Sequence, residues 1–88
     1  MFTIYSSHNC GWCTQAKKLL TERNFEYTEK VIDSGQIPRV PGTDYIFLKD
    51  LERILPGITS VPQVYHNVNG VSKHIGGFRD LEKYLSVQ

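Results

Sequence analysis

Strand-like and helix-like spacing of hydrophobic and polar residues alternate along the chain. A β-rich run at 2–5 leads directly into the polar stretch 6–9, which predicts a first strand followed by a loop. Between 11 and 23 the apolar residues recur every three or four positions, which predicts an amphipathic helix. Residues 25–32 alternate at first and then turn apolar, which predicts a second strand.

The middle of the chain combines a loop with a second helix. Proline and glycine interrupt 33–42 too often for either regular structure, so we expect a loop there. Thr43 and Asp44 are suitable caps for a helix that continues to Leu55, because the apolar residues after them share one face. Pro56, followed by glycine, ends that helix.

The last third of the chain predicts a hairpin and a short helix. The strand-like runs 62–66 and 71–75 flank Asn69-Gly70, a dipeptide that suits the two positive φ angles of a type I′ turn. We therefore expect these runs to pair antiparallel. Apolar residues at helical spacing over 78–85 predict a third helix.

The element order is thus β-α-β-α-β-β-α. A right-handed β-α-β crossover joins two parallel strands, and the hairpin adds two antiparallel ones. We expect an α/β fold with a mixed four-stranded sheet flanked by three helices. A chain of 88 residues without repeat or linker predicts a single domain over 1–88.

Composition and charge narrow the classes of function. The chain has 40% hydrophobic and 22% charged residues and a net charge of +1, with its basic residues scattered. This pattern favours a globular protein that binds neither nucleic acid nor membrane. We expect the protein to be a monomer. The absence of a leader-like N-terminus or a long apolar segment predicts a cytoplasmic location, which for a viral protein means the host cytoplasm. Thiols stay reduced there, so a cysteine pair is expected to be catalytic or metal-binding.

Cys10 and Cys13 have the spacing that thiol–disulfide exchange requires. One thiolate attacks a disulfide, and a second thiol close by displaces it from the mixed disulfide. At the first turn of the predicted helix, Cys10 faces unpaired backbone N–H groups, which stabilise a thiolate. Cys13, one turn further along, is the more buried thiol. We therefore expect Cys10 to attack and Cys13 to resolve.

Two other interpretations of the cysteines stay open at this level. A structural zinc site needs four ligands, and the chain offers one cysteine pair with His8, His66 and His74, the last two on predicted strands. Two inert core cysteines would not explain why the pair opens a helix directly after a polar loop. We expect no resident metal.

Three motifs together resemble the glutaredoxin family. Cys10-Gly11-Trp12-Cys13 opens a helix, Ser60-Val61-Pro62 precedes the third strand, and His74-Ile75-Gly76-Gly77-Phe78-Arg79-Asp80-Leu81 leads into the last helix. The resemblance covers nearly the whole chain. It is closer to the compact dithiol glutaredoxins of bacteria and their phages than to the longer thioredoxins. It implies a thioredoxin-like fold.

The resemblance also implies a binding site for glutathione. Val61-Pro62 is expected to be a cis peptide, which leaves the backbone of Val61 free to pair with an extended thiol peptide. The sequence alone favours an ordinary trans proline at the start of a strand. The N–H groups of Arg79 and Asp80 are expected to receive the γ-glutamyl carboxylate, with the Asp80 carboxylate facing the ammonium. Seven residues are predicted to contact substrate: Trp12, Ser60, Val61, Pro62, Gly77, Arg79 and Asp80.

Several residues depart from the family's pattern. Glutaredoxins often carry Lys or Arg three residues before the first cysteine, where this chain has Ser7, and Lys49 is a candidate substitute. Trp12 replaces the common tyrosine as an expected substrate wall, the alternative being an aromatic folded onto the loop. Gly11 replaces the common proline. His8 either adds positive charge near the thiolate or is simply solvated.

The resulting hypothesis is a glutathione-dependent thiol–disulfide oxidoreductase without a tightly bound cofactor. Glutathione, kept reduced by glutathione reductase and NADPH, restores the dithiol, and clients are disulfide-containing or glutathionylated proteins, ribonucleotide reductase first among them. One alternative is a redoxin recharged by thioredoxin reductase. Another is a non-catalytic binding module or iron–sulfur carrier that presents the loop 33–42, where Arg39 lies between two prolines.

Overall fold

Strands and helices alternate in the computed structural model, which describes residues 1–33, 35, 39–58 and 60–86. In these residues the strands are β1 (Phe2–Ser6), β2 (Tyr27–Asp33), β3 (Tyr45–Phe47), β4 (Gln63–Val68) and β5 (Val71–Gly76). The helices are α1 (Gly11–Glu22), α2 (Leu48–Ile54) and α3 (Phe78–Ser86). None of the helices described is long and apolar enough to cross a lipid bilayer.

The strands form one mixed sheet in the order β3-β2-β1-β4-β5. β1 pairs in parallel with β2, and β2 in parallel with β3. β4 is antiparallel to both β1 and β5. The predicted α/β class and its three helices are confirmed, and the described sheet has five strands where four were expected.

The additional strand β3 replaces the start of the predicted second helix. Tyr45-Ile46-Phe47 is an aromatic and β-branched run that favours extended backbone, and Val31 of β2 lies beside Tyr45. The Val31 N–H donates to the carbonyl of Asp44 at 2.9 Å. Local spacing alone does not reveal this partner, because β2 and β3 are joined only through the long intervening loop.

The helix α2 is accordingly shorter than expected. It begins at Leu48, and its N-cap Phe47 makes no side-chain capping hydrogen bond. The prediction that Thr43 and Asp44 cap this helix is therefore wrong. Only Leu51 is buried among its residues, so α2 is held by one apolar anchor.

The loop predicted at 33–42 lies partly outside the described residues. Asp33 belongs to β2, and the Arg39 Nε donates to its Oδ2 at 2.7 Å. The Arg39 guanidinium also lies about 5 Å from the ring centroids of Tyr45 and Phe47. Arg39 thus ties the described end of this segment back to β2 and β3.

The hydrophobic core lies where α1 and α3 pack over β1 and β4. Its members are almost completely buried: Phe2, Ile4, Ala16, Leu20, Val64, Leu81 and Leu85. Burying a large apolar side chain of this kind contributes about 1.5–3 kcal/mol relative to leaving it exposed. The apolar residues whose helical spacing predicted α1 and α3 include the residues that pack both helices against the sheet.

Strand register brings three separate segments to one end of the sheet. Tyr5, near the end of β1, pairs with Gln63 at the start of β4, and Gly76 at the end of β5 pairs with Val64. The segment before α1, the segment before β4 and the segment before α3 therefore meet there. These are the three segments that carry the motifs.

Candidate active site

Cys10 and Cys13 lie at the start of α1 and are joined as a disulfide. Cys10 is the N-cap, with extended backbone, and its sulfur accepts a hydrogen bond of 3.1 Å from the Cys13 N–H. Cys13 is 2% exposed, whereas Cys10 is only partly buried. An N-cap side chain faces the free N–H groups of the first turn, where negative charge is stabilised. The structure therefore places Cys10 where a thiolate is favoured and Cys13 behind it.

Trp12 lies between the cysteines in sequence and is 54% exposed. Its ring packs at a tilt against Phe78 of α3, with 5.5 Å between centroids. The Arg79 guanidinium lies 5.8 Å from the indole centroid, at cation–π distance. Trp12 is thus held against α3 and is not folded onto its own loop.

The Val61–Pro62 peptide is cis, as the resemblance implied. Pro62 is buried, and Val61 lies just before β4, outside the strand ladder. Gln63 Nε2 donates to the Ser60 carbonyl at 3.0 Å, and Gln63 Oε1 lies 2.8 Å from His74 Nε2. Gln63 thereby connects the segment before β4 to β5.

The glycine pair before α3 brings backbone and carboxylate into close contact. Gly77 is the N-cap position, because its carbonyl accepts from the Leu81 N–H at 3.0 Å. Asp80 Oδ2 accepts in return from the Gly77 N–H at 3.1 Å, as in a capping box. Gly76 has φ 120°, and a Cβ there would collide with the Asp80 carboxylate. A side chain at position 76 would therefore force the Asp80 carboxylate to move.

All seven residues predicted to contact substrate line one groove of about 470 Å³, which we call the substrate groove. Four further residues line it that were not predicted as site residues: Gln63, His74, Gly76 and Phe78. Gln63 directly follows the cis proline, and His74 is two residues before the glycine pair, so proximity to those motifs was the available signal. Neither cysteine lines the substrate groove. Trp12, which lies between them in sequence, is the residue of that segment that lines it.

The two cysteines line a second cavity of about 600 Å³, which we call the cysteine pocket. Ser7 and His8 belong to it. His8 is partly buried, with Nε2 3.4 Å from the Tyr45 hydroxyl, and is therefore not simply solvated. Lys49 lines neither cavity and lies instead in a depression beside Asp33. The structure does not bring it to the cysteines as a substitute for a basic residue at position 7.

A polar network missed by the sequence analysis connects α1 with β2 in the cysteine pocket. Lys17 Nζ lies 2.9 Å from Glu29 Oε2, and the buried Ser6 hydroxyl donates to the same oxygen at 2.6 Å. Burial raises the pKa of Glu29, but the hydrogen bonds from Ser6 and Lys17 and the charges of Lys17 and His8 outweigh it and leave that pKa lowered. The sequence indicated this network only through Lys17, which is four residues after Cys13 and so lies on the same face of the predicted helix.

The residues that the structure describes contain no cluster of three or more His, Cys, Asp or Glu side chains arranged for a metal ion. The two sulfurs are instead bonded to each other. The arrangement supports reversible thiol–disulfide chemistry, in which the same two sulfurs alternate between dithiol and disulfide.

Comparison with known proteins gives consistent matches. The family model described as glutaredoxin matches residues 2–72. A probable glutaredoxin of Acanthamoeba polyphaga mimivirus is 34% identical over 89 residues, covering 99% of this chain and 79% of the relative. The hybrid peroxiredoxin hyPrx5 of Haemophilus influenzae is 33% identical over 84 residues, or 96% of this chain. The chain spans only 29% of that relative's length.

Solved structures agree on the fold. Glutaredoxin 1 from Francisella tularensis, crystallised with cacodylate, superposes with a TM-score of 0.64 at 25% identity, covering 98% of this chain and 92% of that one. A buckwheat glutaredoxin–glutathione complex gives a TM-score of 0.56 at 24% identity, covering 98% and 69%. Together with the cysteine pair at the start of α1, the family match identifies the chain as a member of the glutaredoxin family, a thiol–disulfide oxidoreductase.

Proposed function

We propose that this glutaredoxin reduces protein disulfides and glutathione mixed disulfides with glutathione as its electron donor. The observation that carries the proposal is the substrate groove, because the three motif segments converge there beside the disulfide. Its volume of about 470 Å³ lies within the range of small-molecule sites. The buckwheat relative of the same fold was solved with glutathione.

Three groups of glutathione, the cysteinyl backbone, the γ-glutamyl carboxylate and the ammonium, have a proposed counterpart in the groove. The backbone of Val61, outside the ladder of β4, pairs with the cysteinyl residue as an added strand. The N–H groups of Arg79 and Asp80 at the start of α3 receive the γ-glutamyl carboxylate. The Asp80 carboxylate, which uses Oδ2 to cap α3, faces the ammonium group. Trp12, adjacent to Cys13 in sequence, forms an exposed wall of the groove.

The reaction proceeds by two exchanges at sulfur. The Cys10 thiolate attacks the client disulfide, a Cys10–client S–S bond forms, and the other client sulfur leaves as a thiolate. Cys13, or a glutathione thiolate, then attacks Cys10 and releases the second client sulfur. When Cys13 resolves, two glutathione molecules reduce the Cys10–Cys13 disulfide and leave as oxidised glutathione. When glutathione resolves, a Cys10–glutathione disulfide forms, and a second glutathione thiolate attacks it and leaves as oxidised glutathione. Each cycle moves two electrons to the client.

A coupled assay tests this proposal. Protein, glutathione, glutathione reductase and NADPH are mixed with a protein disulfide or a glutathionylated protein, and NADPH loss is followed. We expect wild type to accelerate both reactions and Cys10→Ser to abolish both. Cys13→Ser should keep activity only on the glutathionylated protein, because a second glutathione replaces the resolving thiol. Equal rates for wild type and Cys10→Ser would overturn the proposal.

A second candidate reductant is thioredoxin reductase. It is favoured by the uncharged Ser7 at a position where many glutaredoxins hold the glycine carboxylate of glutathione, and by the location of Lys49 outside both cavities. The same assay with thioredoxin reductase and NADPH in place of the glutathione system separates the two. Activity in neither system would favour a non-catalytic binding module or iron–sulfur carrier.

We further propose that the chain acts as a single monomeric domain in the cytoplasm, where glutathione reductase and NADPH maintain reduced glutathione. Ribonucleotide reductase, the client that the family resemblance suggests first, is the proposed first client. The length of 88 residues and the one continuous sheet support the single domain. Reduction of purified ribonucleotide reductase, measured as deoxyribonucleotide formed with glutathione as the only reductant, tests the client.

A further inference from the structure

The cysteine pocket contains an ion pair that the exchange reaction described above does not use. Lys17 Nζ lies 2.9 Å from Glu29 Oε2, and the side chains are 30% and 25% exposed. Ser6, which is 1% exposed, holds the same carboxylate oxygen at 2.6 Å. The pair is therefore fixed in place and partly removed from water, unlike Lys18 and Glu22 on the same helix, which are 65% and 60% exposed.

The ion pair shares the cysteine pocket with the resolving thiol. Cys13 and Lys17 are four residues apart on α1, so their side chains lie one above the other on one helix face. Cys13 is 2% exposed, so a charge on its sulfur is poorly screened by solvent. The other titratable groups that line the pocket are His8 and Cys10.

Three further ionisable side chains near the active-site segments do not line this pocket. The Tyr45 hydroxyl lies 3.4 Å from His8 Nε2, but Tyr45 does not line the pocket. Arg79 and Asp80 of α3 face the substrate groove, on the Trp12 side of the disulfide. Among the residues described, Lys17 and Glu29 are thus the oppositely charged side chains that line the cysteine pocket.

We propose that the Lys17–Glu29 pair sets the proton affinity of Cys13 and so controls the resolving step, with both acting as positioning residues. In that step the Cys13 thiol loses its proton to solvent, and its thiolate attacks Cys10. The Cys10–client S–S bond breaks, its electron pair leaves on the client sulfur, and that thiolate takes a proton from solvent. The inference rests on the proposed function, because it assigns attack to Cys10 and resolution to Cys13.

The two halves of the pair act on the Cys13 thiolate in opposite directions. In Lys17→Met the negative charge of Glu29 is uncompensated, so the thiolate is disfavoured and resolution requires higher pH. In Glu29→Gln the ammonium of Lys17 is uncompensated, and resolution proceeds at lower pH. A unit charge about 6 Å away moves a titration midpoint by about half a pH unit even in a water-like dielectric.

A two-phase thiol assay measures the resolving step without glutathione. Reduced protein in excess is mixed with the chromogenic disulfide dithiobis(nitrobenzoate). Attack by Cys10 releases one coloured thiolate, and attack by Cys13 releases the second at a rate independent of protein concentration. We expect the pH midpoint of the second phase to rise in Lys17→Met, fall in Glu29→Gln, and return near wild type in the double variant.

Matched controls separate this effect from general damage to the fold. Lys18→Met and Glu22→Gln remove the same charges from the exposed pair on α1 and should leave the second phase unchanged. Lys17→Gln replaces Lys17→Met if the latter fails to fold, and Cys13→Ser identifies the second phase by its loss. A purely structural role predicts that the double variant is the most impaired, without opposite shifts in the single variants.

Several outcomes would overturn the inference. These are unchanged midpoints in both single variants, shifts in the same direction, or equal shifts in the Lys18 and Glu22 controls. Failure of the proposed function looks different, because wild type would then show no coupled NADPH loss with glutathione. The first-phase and second-phase rates would still be measurable in that case.

Discussion

The Asp80 carboxylate accepts a hydrogen bond of 3.1 Å from the backbone N–H of Gly77, three residues before it. Since the Gly77 carbonyl accepts from the Leu81 N–H, Gly77 and Asp80 cap the start of α3 as a reciprocal pair. The same residues line the substrate groove. One carboxylate therefore stabilises the helix and supplies negative charge to the proposed glutathione site.

Two substitutions separate these roles of Asp80. Asp80→Asn keeps an oxygen acceptor for Gly77 but removes the charge, so we expect the KM for glutathione to rise about fivefold, as loss of about 1 kcal/mol predicts. Asp80→Ala also removes the cap and should lower the free energy of unfolding by about 1 kcal/mol. Coupled-assay kinetics and urea unfolding give the two quantities.

Glu82→Gln is the control for Asp80→Asn, because Glu82 is an exposed acidic residue on the same helix outside the substrate groove. It should change neither the KM nor the unfolding midpoint appreciably. An unchanged KM in Asp80→Asn would show that the carboxylate serves only the helix.

Gly76 is the position where the site tolerates a side chain least. Its φ of 120° lies in a region that L residues rarely adopt, and a Cβ there meets the Asp80 carboxylate. We expect Gly76→Ala to lower the free energy of unfolding by about 1–3 kcal/mol and to raise the KM for glutathione, because the carboxylate must move. Gly11→Ala is the control, since a Cβ at Gly11 meets nothing within 4 Å. Equal stability losses in both variants would contradict this explanation.

Trp12 is expected to bind substrate and to contribute little to folding, because 54% of it is exposed. Trp12→Ala removes the groove wall and the cation–π contact with Arg79, so KM should rise about fivefold while the unfolding midpoint changes little. Trp12→Tyr keeps an aromatic face and should retain most of the affinity.

Val71→Ala is the corresponding control, because Val71 is a 68% exposed apolar residue on β5 outside the substrate groove. A Trp12→Ala protein with wild-type KM but a large loss of stability would assign the indole to the fold instead.

Local features of the sequence were sufficient to predict most elements. The turn at Asn69 and Gly70 has φ of 51° and 80°, which that dipeptide adopts readily, so the hairpin was readable from adjacent residues. The cysteines were likewise recognisable because both lie on one helical turn. In the same way, the apolar spacing of α1 and α3 is a property of each helix alone.

Features that depend on pairing between distant segments were not predictable. Strand β3 forms because Tyr45 pairs with Val31 of β2. From the local sequence alone, a helix through Phe47 and Leu48 was as plausible as this strand. The Lys17–Glu29 pair joins α1 to β2, and Ser6 of β1 donates a hydrogen bond to the same carboxylate. Neither the sheet order nor the depth of a charged side chain is encoded in the spacing along one segment.

His66 makes the stability of the fold depend on pH. Its ring stacks on Phe2 with 4.2 Å between centroids, and Nδ1 lies 2.7 Å from the Tyr84 hydroxyl. Burial, followed by the positive charges of the N-terminus and Lys73, lowers the pKa of His66 below its usual 6.5. The folded state therefore binds this proton less readily than the unfolded state.

The sign of the linkage follows from that direction. Between the lowered folded pKa and the unfolded value of about 6.5, the unfolded chain binds more protons, so the free energy of unfolding increases with pH. The stabilisation is complete above about pH 6.5 and is lost as pH falls through the folded pKa. Urea unfolding of wild type between about pH 5 and pH 8 should show this loss on the acidic side.

His66→Gln should be less stable than wild type near neutral pH, because stacking on Phe2 is lost, but it should lack the decline that begins below about pH 6.5. His74→Gln is the control, since His74 lies on the neighbouring strand β5 and is exposed. It should retain the wild-type pH dependence. A decline of equal size in His66→Gln and wild type would show that another group binds the proton, because glutamine has no titratable side chain.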